Sequence, residues 1–254
     1  MTRVVIGVPA RDEAELLPAA LGALVAAAGE AVRVDAGRAD QVHLVVAAHR
    51  CRDATAALAH GVLAGPLPEH VTGEVLLDGV SETVGQVRDR ALRHGLDPGD
   101  PAHTWLFTTD ADSRVPVDWL TRALAAARAE DAVAVAGLVD LVGWQAPPEA
   151  RRAYDAEVAT GLHARGHWHA YGANLAVRAD AYLAIGGFPH RARGEDVALV
   201  QALRAAGLPV ATPRDLVVHT SGRTDGRAAD GLSALLARLG GTLGARTTDP
   251  QEHP

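Results

Sequence analysis

Four short apolar runs, each followed by a polar turn and a helical pattern, fill the first half of this 254-residue chain. The runs cover 4–8, 43–47, 74–77 and 105–109. The helices are expected from about 12, from about 53, over 81–94 and over 119–130. Alternating strands and helices predict an α/β domain with a mostly parallel, doubly wound sheet. The turns at 9–13, 47–53 and 110–113 then meet beyond the carboxyl ends of the strands, where such sheets bind ligands.

The second half alternates less regularly. Strands are expected at 132–142, 174–177 and 216–218, and helices at 148–165, 180–185 and 195–206. Gly186 and Gly187 are suited to end the helix at 180–185, because glycine adopts the left-handed conformation without strain. We find no internal repeat and no linker. The chain is therefore interpreted as one domain over 1–239, with a flexible tail at 240–254.

Composition excludes several classes of function. The net charge of −7 and the aromatic content of 4% argue against nucleic acid as a partner, which needs basic and stacking surfaces. The single cysteine, Cys51, excludes an internal disulfide and a zinc site built from several thiolates. No run approaches the ~18 apolar residues of a membrane helix. We expect a cytoplasmic protein without membrane insertion, and the use of Arg in place of Lys indicates a GC-rich, bacterial genome.

Two carboxylates flank Ala111 directly after the fourth predicted strand. Asp110 and Asp112 are separated by one residue, so a turn can direct both to one ligand. Mg²⁺ and Mn²⁺ prefer one or two carboxylates together with phosphate oxygens. The alternative is a helix cap plus a turn residue, since Asp-x-Asp is frequent by chance. This segment alone leaves both interpretations open.

Six segments resemble those of family 2 glycosyltransferases, in that family's order and spacing, over residues 3–223. They are 9–13 (Pro-Ala-Arg-Asp-Glu), 85–89 (Gly-Gln-Val-Arg-Asp), 109–113 (Thr-Asp-Ala-Asp-Ser), 172–178 (Gly-Ala-Asn-Leu-Ala-Val-Arg), 186–189 (Gly-Gly-Phe-Pro) and 194–199 (Gly-Glu-Asp-Val-Ala-Leu). The resemblance implies a GT-A-type, Rossmann-like catalytic domain with flanking helices. Its half at 1–115 would bind a nucleotide sugar, and the smaller half at 116–239 would bind the acceptor.

The resemblance also implies the reaction and its residues. A sugar, hexosyl in type, would pass with inversion from a nucleoside diphosphate sugar to a hydroxyl acceptor, assisted by Mn²⁺ or Mg²⁺. The nucleotide-sugar site would contain Pro9, Ala10, Arg11, Glu13, His49, Arg88, Asp110, Ala111 and Asp112. The acceptor site would contain Trp168, Tyr171, Gly172, Asn174 and Glu195.

Further roles follow from the same resemblance. Asp196 would be the general base, although a helix cap is the alternative for this position. Asp112 would bind the metal, and His219 would either be a further metal ligand or an ordinary surface or core histidine. Arg223 and Arg227 would either close over the diphosphate or form a solvated basic face.

One departure from the family concerns the second predicted strand. Many relatives end it with an acid that holds the base or ribose, whereas this strand leads to His49. His49 is a possible substitute as a hydrogen-bonding group, and Asp53 and Thr55 retain the later Asp-x-Thr pattern. The identity of the nucleotide therefore stays open.

Three histidines at 163, 167 and 169 do not have the spacing of a zinc motif. Their loop is better suited to shape an acceptor pocket.

Three other functions stay open: a catalytically degenerate nucleotide-binding regulatory module, a retaining transferase and a nucleotidyltransferase. The last usually has a glycine-rich basic loop after its first strand, and residues 9–13 contain no glycine.

Overall fold

A seven-stranded sheet forms the centre of the computed structural model, which describes residues 1–34, 39–189, 191–224 and 232–244. The strands are β1 (Arg3–Ala10), β2 (Gln41–His49), β3 (Val71–Asp78), β4 (Thr104–Thr108), β5 (Ser113–Arg114), β6 (Ala134–Ala136), β7 (Leu138–Val142), β8 (Leu162–His163), β9 (Gly166–His167), β10 (Leu175–Arg178), β11 (Val210–Ala211) and β12 (Val217–Ser221). The helices are α1 (Leu17–Arg33), α2 (Thr55–Leu63), α3 (Val84–Gly95), α4 (Trp119–Ala129), α5 (Pro148–Thr160), α6 (Ala179–Ala184), α7 (Glu195–Ala205) and α8 (Leu232–Gly244), with a short 3₁₀ turn at Pro101–His103.

The large sheet has the order β11-β6-β10-β4-β1-β2-β3. Strand β10 runs antiparallel to both of its neighbours, and the other pairings are parallel. The predicted α/β class with a mostly parallel sheet is confirmed. Its four strand-then-helix units contribute β1 to β4, because their β-branched and aliphatic runs suit strands buried on both faces.

Helices cover both faces of this sheet. Helices α1, α2 and α4 pack on one face in a core that includes Leu21, Ala59 and Leu120. Helices α3, α6 and α7 pack on the other, with Leu92 and Leu203 among the buried residues. The apolar residues of each helix recur at helical spacing, so each helix buries one side against the sheet.

The first helix begins at Leu17, later than the expected start near 12. Asp12 has a φ of +52°, which is the left-handed region and incompatible with a helix interior. The chain therefore turns before the helix starts, and the carbonyl of Glu13 accepts hydrogen bonds from the Leu16 and Leu17 amides. This turn directs residues 11–14 towards the carboxyl edge of the sheet.

The strand expected over 132–142 is divided at Gly137. Residues before it pair in the large sheet, whereas β7 joins β12 and β5 in a small three-stranded sheet. A Cβ at Gly137 would lie 2.2 Å from Asn174 Nδ2 and 2.6 Å from the Leu216 carbonyl oxygen. The chain changes sheets here because only glycine permits that approach.

The helix expected over 148–165 ends at Thr160, and β8 and β9 follow as a hairpin. A separate apolar cluster joins α5 to α8 through Tyr154 and Leu236, with Trp144 beside them.

Residues 240–244 of the predicted tail belong to α8, and 245–254 lie outside the described residues. Within the described ranges, no helix combines the length and apolarity needed to cross a bilayer.

Candidate active site

The turns after β1 and β2 are joined at the carboxyl edge by Asp53 and Thr55. Thr55 Oγ1 accepts a hydrogen bond from the Glu13 amide at 2.7 Å, and Asp53 Oδ2 accepts one from the Ala14 amide at 3.0 Å. The hydrogen bond from Thr55, above all, lowers the pKa of Asp53. The Asp-x-Thr pattern therefore holds the first turn in place, a role that the sequence pattern did not reveal.

Arg88, from α3, is the centre of a buried polar network and is 4% exposed. Its Nη1 donates to Thr108 Oγ1 at 2.8 Å and to the Gly172 carbonyl at 3.0 Å. Its Nη2 donates to Asp110 Oδ1 at 2.6 Å, and its Nε donates to Glu195 Oε1 at 3.4 Å. Every nitrogen of the guanidinium is thus directed to protein atoms. Arg88 therefore orients Asp110 in this structure, and its expected contact with the nucleotide stays a prediction.

Glu195 lies behind this guanidinium. It is 6% exposed, and its burial raises the pKa of its carboxyl group, while the charge of Arg88 acts in the opposite direction. A Cβ at Gly85 would lie 3.0 Å from the Cβ of Glu195, so α3 and α7 approach closely here. Glu195 was expected in the acceptor site; the structure places it against Arg88, and a contact with the acceptor stays a prediction.

Asp196 lies in the first turn of α7 and is half-buried. Its Oδ2 accepts a hydrogen bond from the Gly172 amide at 2.9 Å, and its Oδ1 accepts one from the Val197 amide at 2.8 Å. Gly172 therefore contacts Arg88 through its carbonyl and Asp196 through its amide. A Cβ at Gly172 would lie 2.5 Å from Arg88 Nη2, so a side chain at this position would displace the guanidinium or the peptide.

Asp112 is the most buried acid of the turn after β4, with 14% of its side chain exposed. Its Oδ1 accepts hydrogen bonds from Ser113 Oγ at 3.3 Å and from Thr220 Oγ1 at 3.4 Å. Burial first, and then the charge of Asp110, raise the pKa of Asp112 to about 6, against the opposing charge of Arg223. A group of this kind gains strongly from a bound cation.

Arg223 extends across the crevice from the end of β12. Its Nη1 donates to Glu13 Oε2 at 2.8 Å, and its Nη2 contacts both Glu13 Oε1 and Asp112 Oδ2, the latter at 3.1 Å. Glu13 is 7% exposed. Glu13 was expected to contact the nucleotide sugar, but its carboxylate binds Arg223. Arg227 lies outside the described residues.

His219 is placed away from the acidic turn. Neighbouring side chains on a strand point to opposite faces, and Thr220 is the residue that faces Asp112. His219 Nδ1 instead lies 3.4 Å from Asp140 Oδ2 on the neighbouring strand, and half of its side chain is exposed. A metal contact by His219 stays a prediction, and in this structure its imidazole faces Asp140 rather than Asp112.

The residues that fit a divalent ion are Asp112 and Asp110. In the described part of the chain, His, Cys, Asp and Glu form no group of three or more that is arranged for a metal. Two carboxylates suffice for an ion that takes its other ligands from phosphate and water. The raised pKa of Asp112 fits that donor set, because it marks negative charge that the protein alone compensates incompletely.

Asn174 belongs to the framework of the fold. It is 2% exposed, its Nδ2 donates to the carbonyls of Leu138 and Leu216, and its Oδ1 accepts from Trp119 Nε1. These bonds use the amide of Asn174 to join α4, β7 and the segment before β12, and its predicted acceptor contact stays a prediction.

The aromatic residues before Gly172 lie at two distances from Asp196. Tyr171 stacks on His169 with ring centroids 5.6 Å apart, and burial raises the pKa of Tyr171, with the charge of Asp196 contributing. Trp168 is 64% exposed and contacts Arg204. Arg204 is eight residues after Asp196 on α7, about 12 Å along the helix. Tyr171 is therefore beside Asp196, and Trp168 is remote from it.

The small residues of the nucleotide-sugar set differ in what they can present. Ala10 and Ala111 are 2% and 3% exposed, and their side chains belong to the core. Only their backbone atoms can contact a ligand. Pro9 is half-buried and Arg11 is exposed at the crevice. His49 ends β2 and pairs with Asp78 at the end of β3. The sequence analysis did not identify Asp78 as a candidate site residue, because it follows the strand predicted at 74–77.

The sequence matches no family model and no curated protein. Solved structures match the fold. One is the mannosyltransferase PcManGT from Pyrobaculum calidifontis in complex with GDP-Man and Mn²⁺, with a TM-score of 0.66 and 19% identity over 99% of this chain and 66% of that one. Another is residues 1–349 of S. aureus TarS in complex with UDP-GlcNAc, with a TM-score of 0.64 and 13% identity over 99% and 68%.

A third match is glucosyl-3-phosphoglycerate synthase from Mycobacterium tuberculosis in complex with Mn²⁺, UDP and phosphoglyceric acid. Its TM-score is 0.54, at 16% identity over 99% of this chain and 80% of that one. This chain thus has the GT-A fold of glycosyltransferases and spans about two thirds of the length of the first two structures.

Proposed function

We propose that this chain transfers a sugar from a nucleoside diphosphate sugar to a hydroxyl group of an acceptor, with inversion and with a divalent metal. One observation carries the proposal. The buried guanidinium of Arg88 contacts both Asp110 and Gly172, and the Gly172 amide contacts Asp196. An acid suited to the donor and an acid suited to a proton transfer are therefore held in one hydrogen-bonded unit.

The donor side is the acidic turn. Asp112, with Asp110 beside it, would hold Mn²⁺ or Mg²⁺ against the donor diphosphate. When bound, the ion supplies positive charge that stabilises the leaving nucleoside diphosphate. Arg223 is the cation best placed to contact the diphosphate, because it already reaches Asp112 from the opposite wall. The fold, shared with structures that contain GDP-Man or UDP-GlcNAc, supports this assignment.

The acceptor side is Asp196 with Tyr171 and Gly172, and Trp168 lies beside Arg204, further along α7. Asp196 would accept the proton of the acceptor hydroxyl as its oxygen attacks the anomeric carbon. Attack opposite the leaving diphosphate inverts that carbon. The Gly172 and Val197 amides orient the carboxylate, and the N-terminal turn of α7 favours negative charge there.

The test measures nucleoside diphosphate release from a panel of nucleotide sugars, with hydroxyl acceptors and Mn²⁺. We expect Asp196→Asn to lower kcat by about 10²-fold or more, since general-base catalysis contributes about that much, while Mn²⁺-dependent nucleotide binding persists. Asp112→Asn should abolish the Mn²⁺-dependent part of binding. Transfer that survives both substitutions would contradict the proposal. Nucleotide binding without turnover of any donor would favour the regulatory module.

A further inference from the structure

The last residues of β2 and β3 form a pair at the carboxyl edge. His49 is in register with Asp78, as Ala47 is with Leu76 two residues earlier. Because side chains alternate along a strand, all four lie on one face. That face packs against α3, where Val87 contacts the cluster of Ala47. The pair therefore lies beside the N-terminal part of α3, on the same face as Pro9, which pairs with Ala47.

Two polar atoms of this pair are buried without a hydrogen-bond partner among the described residues. They are His49 Nδ1 and Asp78 Oδ2, and they lie 3.5 Å from each other. The Asp78 side chain is fully buried, and the His49 side chain is 10% exposed. Since Nδ1 is buried, the exposed edge of the imidazole is the one that carries Cε1, Nε2 and Cδ2.

Asp78 is held as an anion by its surroundings. Its Oδ1 accepts hydrogen bonds from the Val80 and Ser81 amides, each at 3.2 Å, and lies 3.4 Å from Arg90 Nε. Burial alone would raise the pKa of Asp78, but the hydrogen bonds from Ser81 and Val80 and the charge of Arg90 outweigh it and lower the pKa. The remaining oxygen, Oδ2, faces His49.

A carboxylate beside Nδ1 selects one tautomer of a neutral imidazole. The negative charge on Asp78 Oδ2, 3.5 Å away, favours the proton on Nδ1, and Nε2 then keeps a lone pair at the exposed edge. Nε2 is then a hydrogen-bond acceptor. Uracil, thymine and guanine present an imide-type N–H at their Watson–Crick edge, whereas adenine and cytosine present a lone pair at the equivalent position.

On this basis we infer that His49, oriented by Asp78, recognises the base of the donor nucleotide and selects uracil, thymine or guanine over adenine and cytosine. The inference rests on the proposed function, whose donor site it completes at the base. It also explains how β2, which lacks a terminal acid, provides a hydrogen-bond acceptor. The Asp78 carboxylate on β3 orients the imidazole of His49, and His49 Nε2 is the acceptor.

Isothermal titration of the full chain with UDP, GDP, CDP and ADP in Mn²⁺ tests the inference without turnover. We expect UDP or GDP to bind at least about tenfold more tightly than CDP and ADP, because an acceptor atom that faces another acceptor leaves both without a hydrogen bond. Equal binding of all four would overturn the inference while leaving the donor site intact. Binding of none would instead count against the proposed function.

Asp78→Asn gives a sharper test than loss of binding. With Oδ1 retained by the Val80 and Ser81 amides, the new amide N–H₂ would donate to His49 Nδ1 and move the imidazole proton to Nε2. The preference should then shift towards CDP or ADP by about tenfold. His49→Leu, which removes the acceptor without touching the turn at 78–81, should equalise the four nucleotides. An unchanged preference in His49→Leu would overturn the inference.

Glu74→Gln is the matched control. Glu74 also pairs with a histidine across β2 and β3, since its Oε1 lies 2.9 Å from His43 Nε2, but it lies four residues before the carboxyl edge. We expect its nucleotide preference to equal that of the unsubstituted protein. A shift in this variant as large as that in Asp78→Asn would show that the effect is not specific to the pair at the edge, and would overturn the inference.

Discussion

Arg223 Nη2 lies 3.1 Å from Asp112 Oδ2, and Nη1 of the same guanidinium donates to Glu13 Oε2 at 2.8 Å. The contact joins the ends of β12 and β4 to the turn after β1. It gathers two buried carboxylates around one cation at the predicted position of the donor diphosphate. Substitutions that change the charge of these residues should therefore alter both the stability of the protein and its affinity for a metal.

Removal of this cation should destabilise the protein. In Arg223→Ala the buried Glu13 carboxylate loses its guanidinium, and breaking a buried ion pair costs about 3 kcal/mol. Urea unfolding measures the change in the free energy of unfolding. Arg122→Ala is the control, because its partner Asp215 is 79% exposed and an exposed pair contributes less than about 1 kcal/mol. Equal effects of the two substitutions would contradict the buried role of Arg223.

Asp112→Asn should stabilise the metal-free protein. The pKa of Asp112 in the folded chain is about 6, above its ordinary value of 3.8, so at neutral pH the ionised group opposes folding by about 3 kcal/mol. That penalty declines as the pH falls below about 6, where the folded state takes up the proton, and is lost only near the ordinary value of 3.8. Thermal unfolding at pH 7.5 should therefore show a higher Tm for Asp112→Asn. A lower Tm would mean that hydrogen bonds to the carboxylate outweigh its burial.

Mn²⁺ affinity should fall with pH below about 6. A metal competes with the proton on Asp112, so the apparent Kd should rise about tenfold for each pH unit below that pKa. Above pH 7 the affinity should level off. Titration of Mn²⁺ by electron paramagnetic resonance between pH 5 and 8 measures the dependence. A constant Kd across this range would exclude Asp112 as a ligand.

Gly172→Ala should separate binding from catalysis. The added methyl would lie 2.5 Å from Arg88 Nη2 and displace the peptide that orients Asp196. We expect kcat to fall by about 10²-fold, with Mn²⁺ binding at Asp112 retained. Gly61→Ala is the control, since nothing lies within 4 Å of a Cβ at that helical position. It should keep full activity and gain about 0.5–1 kcal/mol of stability.

Local pattern predicted the parallel half of the fold. The apolar runs before the turns at 9–13, 47–53 and 110–113 became β1, β2 and β4, because period and composition specify a buried strand without knowledge of its neighbours. The same logic failed at 132–142. An apolar run does not reveal that Gly137 must approach Asn174 and pass from one sheet to another.

By itself, the sequence determined the class of the fold, the position of Asp110 and Asp112 at the edge of the sheet, and the place of Asp196 at the start of a helix. These depend on residue order and short spacings. Only the tertiary structure decided which groups each side chain contacts. It turned Arg88 towards Asp110 and Gly172, faced Thr220 rather than His219 towards Asp112, and placed Asp78 against His49. Such contacts depend on strand register and on packing between distant elements, and a one-residue difference in register reverses the face on which a side chain lies.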